Sequence, residues 1–547
     1  MIDVDELVFA REFERVARWA GDRVALTDLG TGLRRTFAEH RGAVARLSGA
    51  LRDRLDVAPG DRYSALLDNR AVYADLWHAG LCGAGVFTSL NARIGRDELR
   101  HTLRDAGSSV LFVSAPFAEM VDEVRADLPS LRQVVLVGAG TERSAGGTSI
   151  DTDVPHDLTL DALLDGAEER MPEPPREDDP AMLLYTGGTT GLPRGVVLDQ
   201  RAVMLNRHRS VEVMAPTRDW TFLQVVPMYH VAALMPLVKV HLAGAGVVVA
   251  PRWDPGAALE VIEREEIGAL SIVPTMAVQM LEHPDFAPER LRSLRFLGYG
   301  TAPMPLGLLN RLIDVLPREC RINQSYGMTE SCGTVTMLDD DDHRHGDPSL
   351  LSSAGRALSG VELTIRDGAG SSLPAGGTGE IWLRCGSVLR EYRGQPEATA
   401  AVLEDGWYHS GDVGRLDDRG YLWVVDRVKD MIVSGGENVY SVEVENAIST
   451  LPGVARVAVF GVPHEVWGEA VHAVVQLSEG SSLTGDDVLA HASERLARYK
   501  VPRGVELRRE ELPVSPAGKV LKRALRSERT GDATSAAPTT GRSPDQG

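Results

Sequence analysis

Ala181-Met182-Leu183-Leu184-Tyr185-Thr186-Gly187-Gly188-Thr189-Thr190-Gly191-Leu192-Pro193-Arg194-Gly195-Val196-Val197-Leu198 is the stretch on which the reading of this chain turns. Both ends are apolar runs of strand length, and the middle is glycine and threonine. Glycines let backbone N–H groups converge on an anion, threonine hydroxyls add donors, and a cation one step beyond, here Arg194, meets a phosphate. A hairpin turn accounts for the glycines alone, but not for the hydroxyls beside them. This is not a Walker loop: it has no Gly-Lys-Ser/Thr, and it leads into a strand instead of a helix.

Outward from this loop the chain alternates helical apolar spacing with short β-branched runs. Phe37, Val44, Leu47, Leu51 and Leu55 share one helical face. Val110-Leu111-Phe112-Val113 and Val134-Val135-Leu136-Val137 read as buried parallel strands, so the class is α/β. Thr141 to Pro180 is polar and reads as a surface excursion. Val231 to Ala250 is apolar but broken by Lys239 and His241, which favours a buried helix and strand over a membrane span. From Val361 to Val425 alternating residues predict an all-β region. A smaller unit follows Lys429, with strands at Val457–Phe460 and Val471–Leu477 and a helix carrying Val488, Leu489, Ala492, Leu496 and Tyr499. From Ser527 onward no large apolar residue occurs, which predicts a disordered tail.

The chain has 547 residues, room for about three to four folding units. Its 43% hydrophobic and 25% charged content excludes collagen-like, coiled-coil and wholly disordered classes. The net charge of −20 repels nucleic acid and anionic lipid, so a polyanionic substrate needs a locally basic, metal-assisted pocket. The four cysteines are far apart and suggest neither a zinc site nor a disulfide framework. The acidic start MIDVDELVFAREFERV lacks a signal peptide's basic and apolar regions, and cytoplasmic residence is expected. Five of the 58 basic residues are lysine: Lys239, Lys429, Lys500, Lys519 and Lys522.

The glycine-rich loop resembles the phosphate loop of the acyl-adenylate-forming (AMP-binding) enzymes, whose pattern is Tyr-Thr-Ser-Gly-Thr-Thr-Gly-x-Pro-Lys-Gly. These enzymes include acyl-CoA synthetases, aryl-CoA ligases, firefly-type luciferases and peptide-synthetase adenylation domains. Gly187 stands in the Ser position, Arg194 in the Lys position, and Gln200 where a His is common. Gly300-Thr301-Ala302-Pro303 is similar to the loop on one face of adenine. Gln324-Ser325-Tyr326-Gly327-Met328-Thr329-Glu330 is similar to the Tyr-Gly-x-Thr-Glu segment. The resemblance implies that Tyr326 stacks on adenine, Thr329 meets the α-phosphate and Glu330 ligates Mg²⁺. Taken without it, Tyr326 could equally be a core tyrosine and Glu330 a helix-start acid. Asp412 in Trp407-Tyr408-His409-Ser410-Gly411-Asp412 matches the ribose-binding aspartate, and Arg427 and Lys429 match the ribose or phosphate contact and the hinge. Gly435 and Gly436 lie in a second loop, and Lys519 in Pro516-Ala517-Gly518-Lys519 matches the catalytic lysine. Lysine at both 429 and 519 in so arginine-rich a chain is expected by chance less than about one time in a hundred, if the two cations are interchangeable. Lys500 and Lys522 read as surface charges.

The resemblance implies a large N-terminal domain (1–427) of two α/β subdomains plus a β-barrel-like subdomain, a hinge, a small mobile C-terminal α+β domain (428–526) and a tail (527–547). It implies ATP, Mg²⁺ and CoA, with a small-molecule carboxylic acid as substrate. No nucleic acid partner and no transmembrane segment are expected, and a homo-oligomer is left open. Thr186, Gly187, Gly188, Thr189, Thr190, Gly191 and Arg194 then hold phosphates, and Gly300, Thr301, Ala302 and Gly327 hold the base. Pro227-Met228-Tyr229-His230-Val231-Ala232-Ala233-Leu234 resembles the opening of the acyl pocket, with His230 as a gate or as a satisfied core histidine. Amino-acid-activating members carry Asp in the slot of His230, so amino acids are not expected. Ala232 and Ala233 beside Met228, Leu234 and Met235 suggest an apolar tunnel or a plain core helix. A ligase for medium- or long-chain fatty acids leads. An aryl- or cinnamoyl-CoA ligase, an acyl-AMP ligase loading a carrier protein, and a binding relative without catalysis are the alternatives.

Overall fold

The computed structural model describes residues 7–138, 154–186, 192–302, 304–434, 437–464, 466–514 and 520–530. The chain divides into two compact units, Met1–Ser410 with Arg415–Trp423, and Gly411–Gly414 with Val424–Gly547.

In the first unit the β-branched runs form the strands they predict. Every residue of Val110–Ser114 is buried, and the strand lies parallel to Arg62–Leu66 and Gln133–Val137. Covered on both faces, such strands need apolar residues at every position. They belong to an eight-stranded sheet. Beyond Val86–Ser89 it continues into the hairpin Pro180–Thr186 and Arg194–Asp199, then the short strand Glu391–Tyr392. The helix Phe37–Asp53 starts with a capping box between Thr36 and Glu39 and buries Phe37, Val44, Leu47 and Leu51 on one face.

A nine-stranded sheet has a parallel centre in the order Val24–Asp28, Gly246–Val249, Thr221–Gln224, Ala269–Ile272, Phe296–Gly300 and Arg321–Met328. Gly333–Leu338 then pairs antiparallel to the last of these. In parallel sheets ligands bind beyond the carboxyl ends of the strands. Pro227–His230, Thr301–Ala302 and Thr329–Glu330 all follow such ends. A smaller antiparallel half-barrel contains Val361–Arg366, Thr378–Cys385 and Leu403–Glu404, in the region the alternation assigns to β structure. Val231–Leu242 is a helix and Gly246–Val249 a strand, both largely buried. Among the described residues no helix is long and apolar enough to cross a membrane.

The described residues of the second unit include a five-stranded sheet, in which Val454–His464 pairs with Gly468–Leu477, and Val444, Ile448, Val459, Val475 and Val488 pack into a core of its own.

Four readings change. Thr141–Pro180 is not wholly a surface excursion: Leu158–Thr159 adds a sheet strand and Leu163 is fully buried. The helix Gly485–Ser493 stops before Leu496 and Tyr499. Leu496 N still reaches Ala492 O at 2.9 Å, but Tyr499 is exposed, so its spacing was no core signal. Lys500 and Lys522 are not free surface charges. Each is drawn into a carboxylate at 2.7 Å, Glu443 and Glu445 respectively. The final helix, Lys522–Thr530, runs on past Ser527, held by buried Leu525 and by Arg508–Glu528 at 2.9 Å.

Candidate active site

The hairpin pairs Thr186 with Arg194, so the two residues closing the phosphate-loop segment face each other across the ladder. Gly187, Gly188, Thr189, Thr190 and Gly191 lie outside the described residues, as do Pro303, Gly435, Gly436 and Lys519.

Glu330 sits in the single turn Thr329–Ser331, directly after the strand Arg321–Met328. The turn closes on Cys332, whose φ is +59°, so the chain reverses sharply behind the carboxylate. Glu330 Oε1 lies 3.4 Å from Thr186 Oγ1 and 3.2 Å from the Tyr392 hydroxyl. The two large sheets thereby bring Thr186, Thr329 and Glu330 to one place. Arg194 stands over the Tyr392 ring, 5.6 Å from its centroid. Burial and the Glu330 carboxylate push the Tyr392 phenol well up, so it remains a hydrogen-bond donor, while Tyr408 supplies a hydrogen bond to its oxygen. One carboxylate flanked by two hydroxyls is a hard-oxygen donor set, and it fits Mg²⁺, which takes few protein ligands and shares the rest with phosphate and water.

Gly327 and Gly300 are glycines because backbone approaches them. A Cβ at Gly327 would meet Gly333 O at 2.0 Å, and one at Gly300 would meet Ser325 O at 2.6 Å. Thr301 takes φ +66°, a left-handed conformation that a threonine adopts only under constraint. Ala302 follows it, half-buried. Tyr326 is half-buried against the core edge, so it is not a fully enclosed core tyrosine.

His230 is the N-cap residue of Val231–Leu242, its ring centroid 4.4 Å from that of Tyr229. Its segment is pinned by Asn69, which accepts from Met228 N at 2.7 Å and donates to Val226 O at 3.1 Å. Burial and nearby Arg93 push the His230 imidazole down to about 4, so it is neutral at neutral pH. Its Nε2 is buried without a hydrogen-bond partner among the described residues. On the helix it caps, Val231, Ala232 and Pro236 stay partly open, whereas Ala233, Leu234 and Met235 are buried. The open face is small and apolar. Gln200 is fully buried and donates to Leu81 O at 3.2 Å, so its amide is committed to the core.

The second unit holds the remaining candidates. Asp412, 5% exposed, pairs with Arg427 at 2.8 Å. Lys429 is exposed on the turn that follows. Behind it Asp426 accepts from Ser441 Oγ, and Lys522 reaches Ser441 Oγ at 2.6 Å. Sequence reasoning missed Tyr392 as a site residue. Its signal was an aromatic in Glu391-Tyr392-Arg393-Gly394, a segment legible only as a family pattern.

Residues 13–393 match the family described as AMP-binding enzyme, and residues 443–519 match the AMP-binding enzyme C-terminal domain. The chain belongs to this family and is an enzyme of the AMP-forming acid–thiol ligase class. It is 39% identical to a feruloyl-CoA synthase of Amycolatopsis sp. over 94% of this chain and 97% of that protein. It is 32% identical to a long-chain-fatty-acid–CoA ligase of Mycobacterium tuberculosis over 92% of this chain and 95% of that one. The o-succinylbenzoate CoA synthetase of Bacillus subtilis, solved with ATP and magnesium ion, superposes with a TM-score of 0.81 at 29% identity, over 94% of this chain and 98% of the other.

Proposed function

We propose that this enzyme joins a carboxylic acid to CoA in two steps, forming an acyl-adenylate and pyrophosphate from ATP and then a thioester and AMP. The observation that carries this is the meeting of Thr186, Glu330 and Tyr392 beside Arg194 at the mouth of the glycine-rich hairpin. Two anions, carboxylate and triphosphate, must approach each other in a protein of net charge −20. Arg194, Arg427 and Lys519 supply the local positive charge. Mg²⁺, held by Glu330, would add Lewis-acid charge at the phosphates. Thr329 donates its hydroxyl to the α-phosphate, Tyr326 offers a flat face to the purine, and Asp412 accepts the ribose hydroxyls. Charge grows on the α-phosphate oxygens as the carboxylate attacks, so the Lys519 ammonium acts most strongly there. Lys429 is the pivot that lets the second unit serve thiol attack.

For the acid we favour an aryl-propenoic acid of the ferulate type, on the 39% identity with a feruloyl-CoA synthase. A medium- or long-chain fatty acid is the second reading, supported by the small apolar face at Val231, Ala232 and Pro236 and by the 32% relative. Neutral, half-buried His230 stands at the start of that face as the gate. The test is AMP release with ATP, CoA and a panel of hydroxycinnamic and fatty acids. Ferulate should give the highest kcat/KM; a fatty acid exceeding it by tenfold would reverse the assignment, and no AMP with any acid would refute both. A phosphopantetheinylated carrier protein replacing CoA at equal rate would overturn the choice of acceptor.

A further inference from the structure

Three histidines distant in sequence meet in the core of the first unit. His40, His78 and His241 come from the helices Phe37–Asp53, Ala71–Leu81 and Val231–Leu242, and all three are fully buried. One ring nitrogen of each lies within 4.8 Å of one from each of the others. None belongs to the nucleotide or acyl site described above.

Their polar neighbours bear on which nitrogens carry protons. His40 Nδ1 lies 3.1 Å from the Asp75 carboxylate, which Arg35 also meets at 2.8 Å. A proton on His40 Nδ1 faces that carboxylate, and Nε2 then presents its lone pair. His241 Nε2 donates to Ala25 O at 3.0 Å, which leaves Nδ1 as a lone pair, buried without a hydrogen-bond partner among the described residues. His78 Nδ1 lies 2.9 Å from His40 Nε2 and, without a metal, donates to it, which leaves His78 Nε2 as a lone pair buried without a hydrogen-bond partner among the described residues. Metal-bound histidines regularly give their other ring N–H to a carboxylate or a backbone carbonyl, and His40 and His241 are held in those two ways. A purely packing role accounts for the contacts with Phe9 and Phe13. It gives no use to the enclosed lone pair of His241 Nδ1, and such a group in a native core calls for an explanation.

We propose that His40, His78 and His241 form a structural site for a divalent d-block cation that prefers imidazole, Zn²⁺ before others, tying three helices of the first unit together. Nitrogens around tetrahedral Zn²⁺ stand roughly 3.3 Å apart, so the triad, whose nitrogens lie within 4.8 Å of one another, closes by side-chain rotation, and the 2.9 Å His40–His78 hydrogen bond opens as the His78 proton moves to Nε2. Asp75 supplies the nearby negative charge.

The test uses the full chain, stripped with EDTA and dialysed, then titrated with Co²⁺ and Zn²⁺. One equivalent of Co²⁺ should give the ligand-field absorption of a low-coordinate nitrogen site, and one Zn²⁺ should survive gel filtration and excess Mg²⁺. His78→Gln should lose this binding, and Asp75→Asn should weaken it roughly 10- to 100-fold, while ferulate- or fatty-acid-dependent AMP release by His78→Gln continues and reports an intact fold. No retained Zn²⁺ in the native sequence, displacement by Mg²⁺, or equal retention in His78→Gln overturns the proposal. Should His78→Gln not fold, His241→Gln takes its place, and a native-sequence Co²⁺ spectrum of oxygen ligation alone overturns it.

Discussion

Tyr392→Phe removes a hydrogen bond to the carboxylate assigned to Mg²⁺. The ring remains under Arg194, while the hydroxyl 3.2 Å from Glu330 Oε1 is lost together with the hydrogen bond it receives from Tyr408. A hydrogen bond to a charged group contributes about 1.5–3 kcal/mol. This one is longer than the usual O–H···O distance, which places it at the lower end, about 1.5 kcal/mol. Tyr392 is 5% exposed, so water does not readily replace the hydroxyl. The expected result is about a tenfold weaker apparent affinity for Mg²⁺. The KM for the acid should change less than about twofold. The assay is pyrophosphate release at saturating acid with Mg²⁺ varied. An unchanged Mg²⁺ dependence, or a loss confined to the KM for the acid, would refute the arrangement of Glu330 derived above.

Lys519→Ala should slow adenylation by roughly a hundred- to a thousand-fold, about 3–4 kcal/mol, and largely spare thioester formation from added acyl-adenylate. Equal losses in single-turnover measurements of both steps would remove that role. Lys522→Ala takes the cation from Glu445, which keeps the Val459 N–H at 2.8 Å but whose carboxyl burial already pushes upward, and should cost about 2–3 kcal/mol by denaturant unfolding. Gly327→Ala puts a Cβ 2.0 Å from Gly333 O and should destabilise the strand leading to Glu330 by about 2–4 kcal/mol, seen as a lower Tm. Burial lowers the folded-state His241 imidazole to about 3 and His230 to about 4, below their unfolded value, so the unfolded chain binds more protons in acid. Their contribution is complete above about pH 6.5 and falls by up to about 1.4 kcal/mol per histidine per pH unit as pH drops towards 4. Urea midpoints at pH 7 and pH 5 check the sign.

Much of the fold was readable because parallel strands buried on both faces declare themselves as apolar runs, as at Val110–Ser114. The site was readable where backbone constraint dictates residue type: Gly300 and Gly327 are crowded by carbonyls, and no other residue fits without movement. Tyr392 was not readable in the same way. Its role depends on pairing with Val196 across about half the length of the first unit, a relation no local spacing encodes. Tyr499 failed for the opposite reason, since helical spacing persisted nearly two turns beyond the point where the helix had ended. The three buried histidines are separated by 38 and 163 positions, so no metal-ligand spacing could signal them. Lys522 was read as solvated because its partners, Ser441 and Glu445, precede it by some eighty residues.

The contact units are interleaved: Gly411–Gly414 group with the smaller one, while Arg415–Trp423 return to the larger. No single peptide-bond cleavage therefore yields two self-contained fragments. Cutting after Trp423 strips the smaller piece of Asp412, the partner of Arg427, and of the Gly411 carbonyl that receives Val428 N at 2.9 Å. Cutting after Ser410 takes Arg415–Trp423 away from the larger piece. Chimeras that exchange the smaller unit between relatives should carry both junction strands with it, or splice at two points.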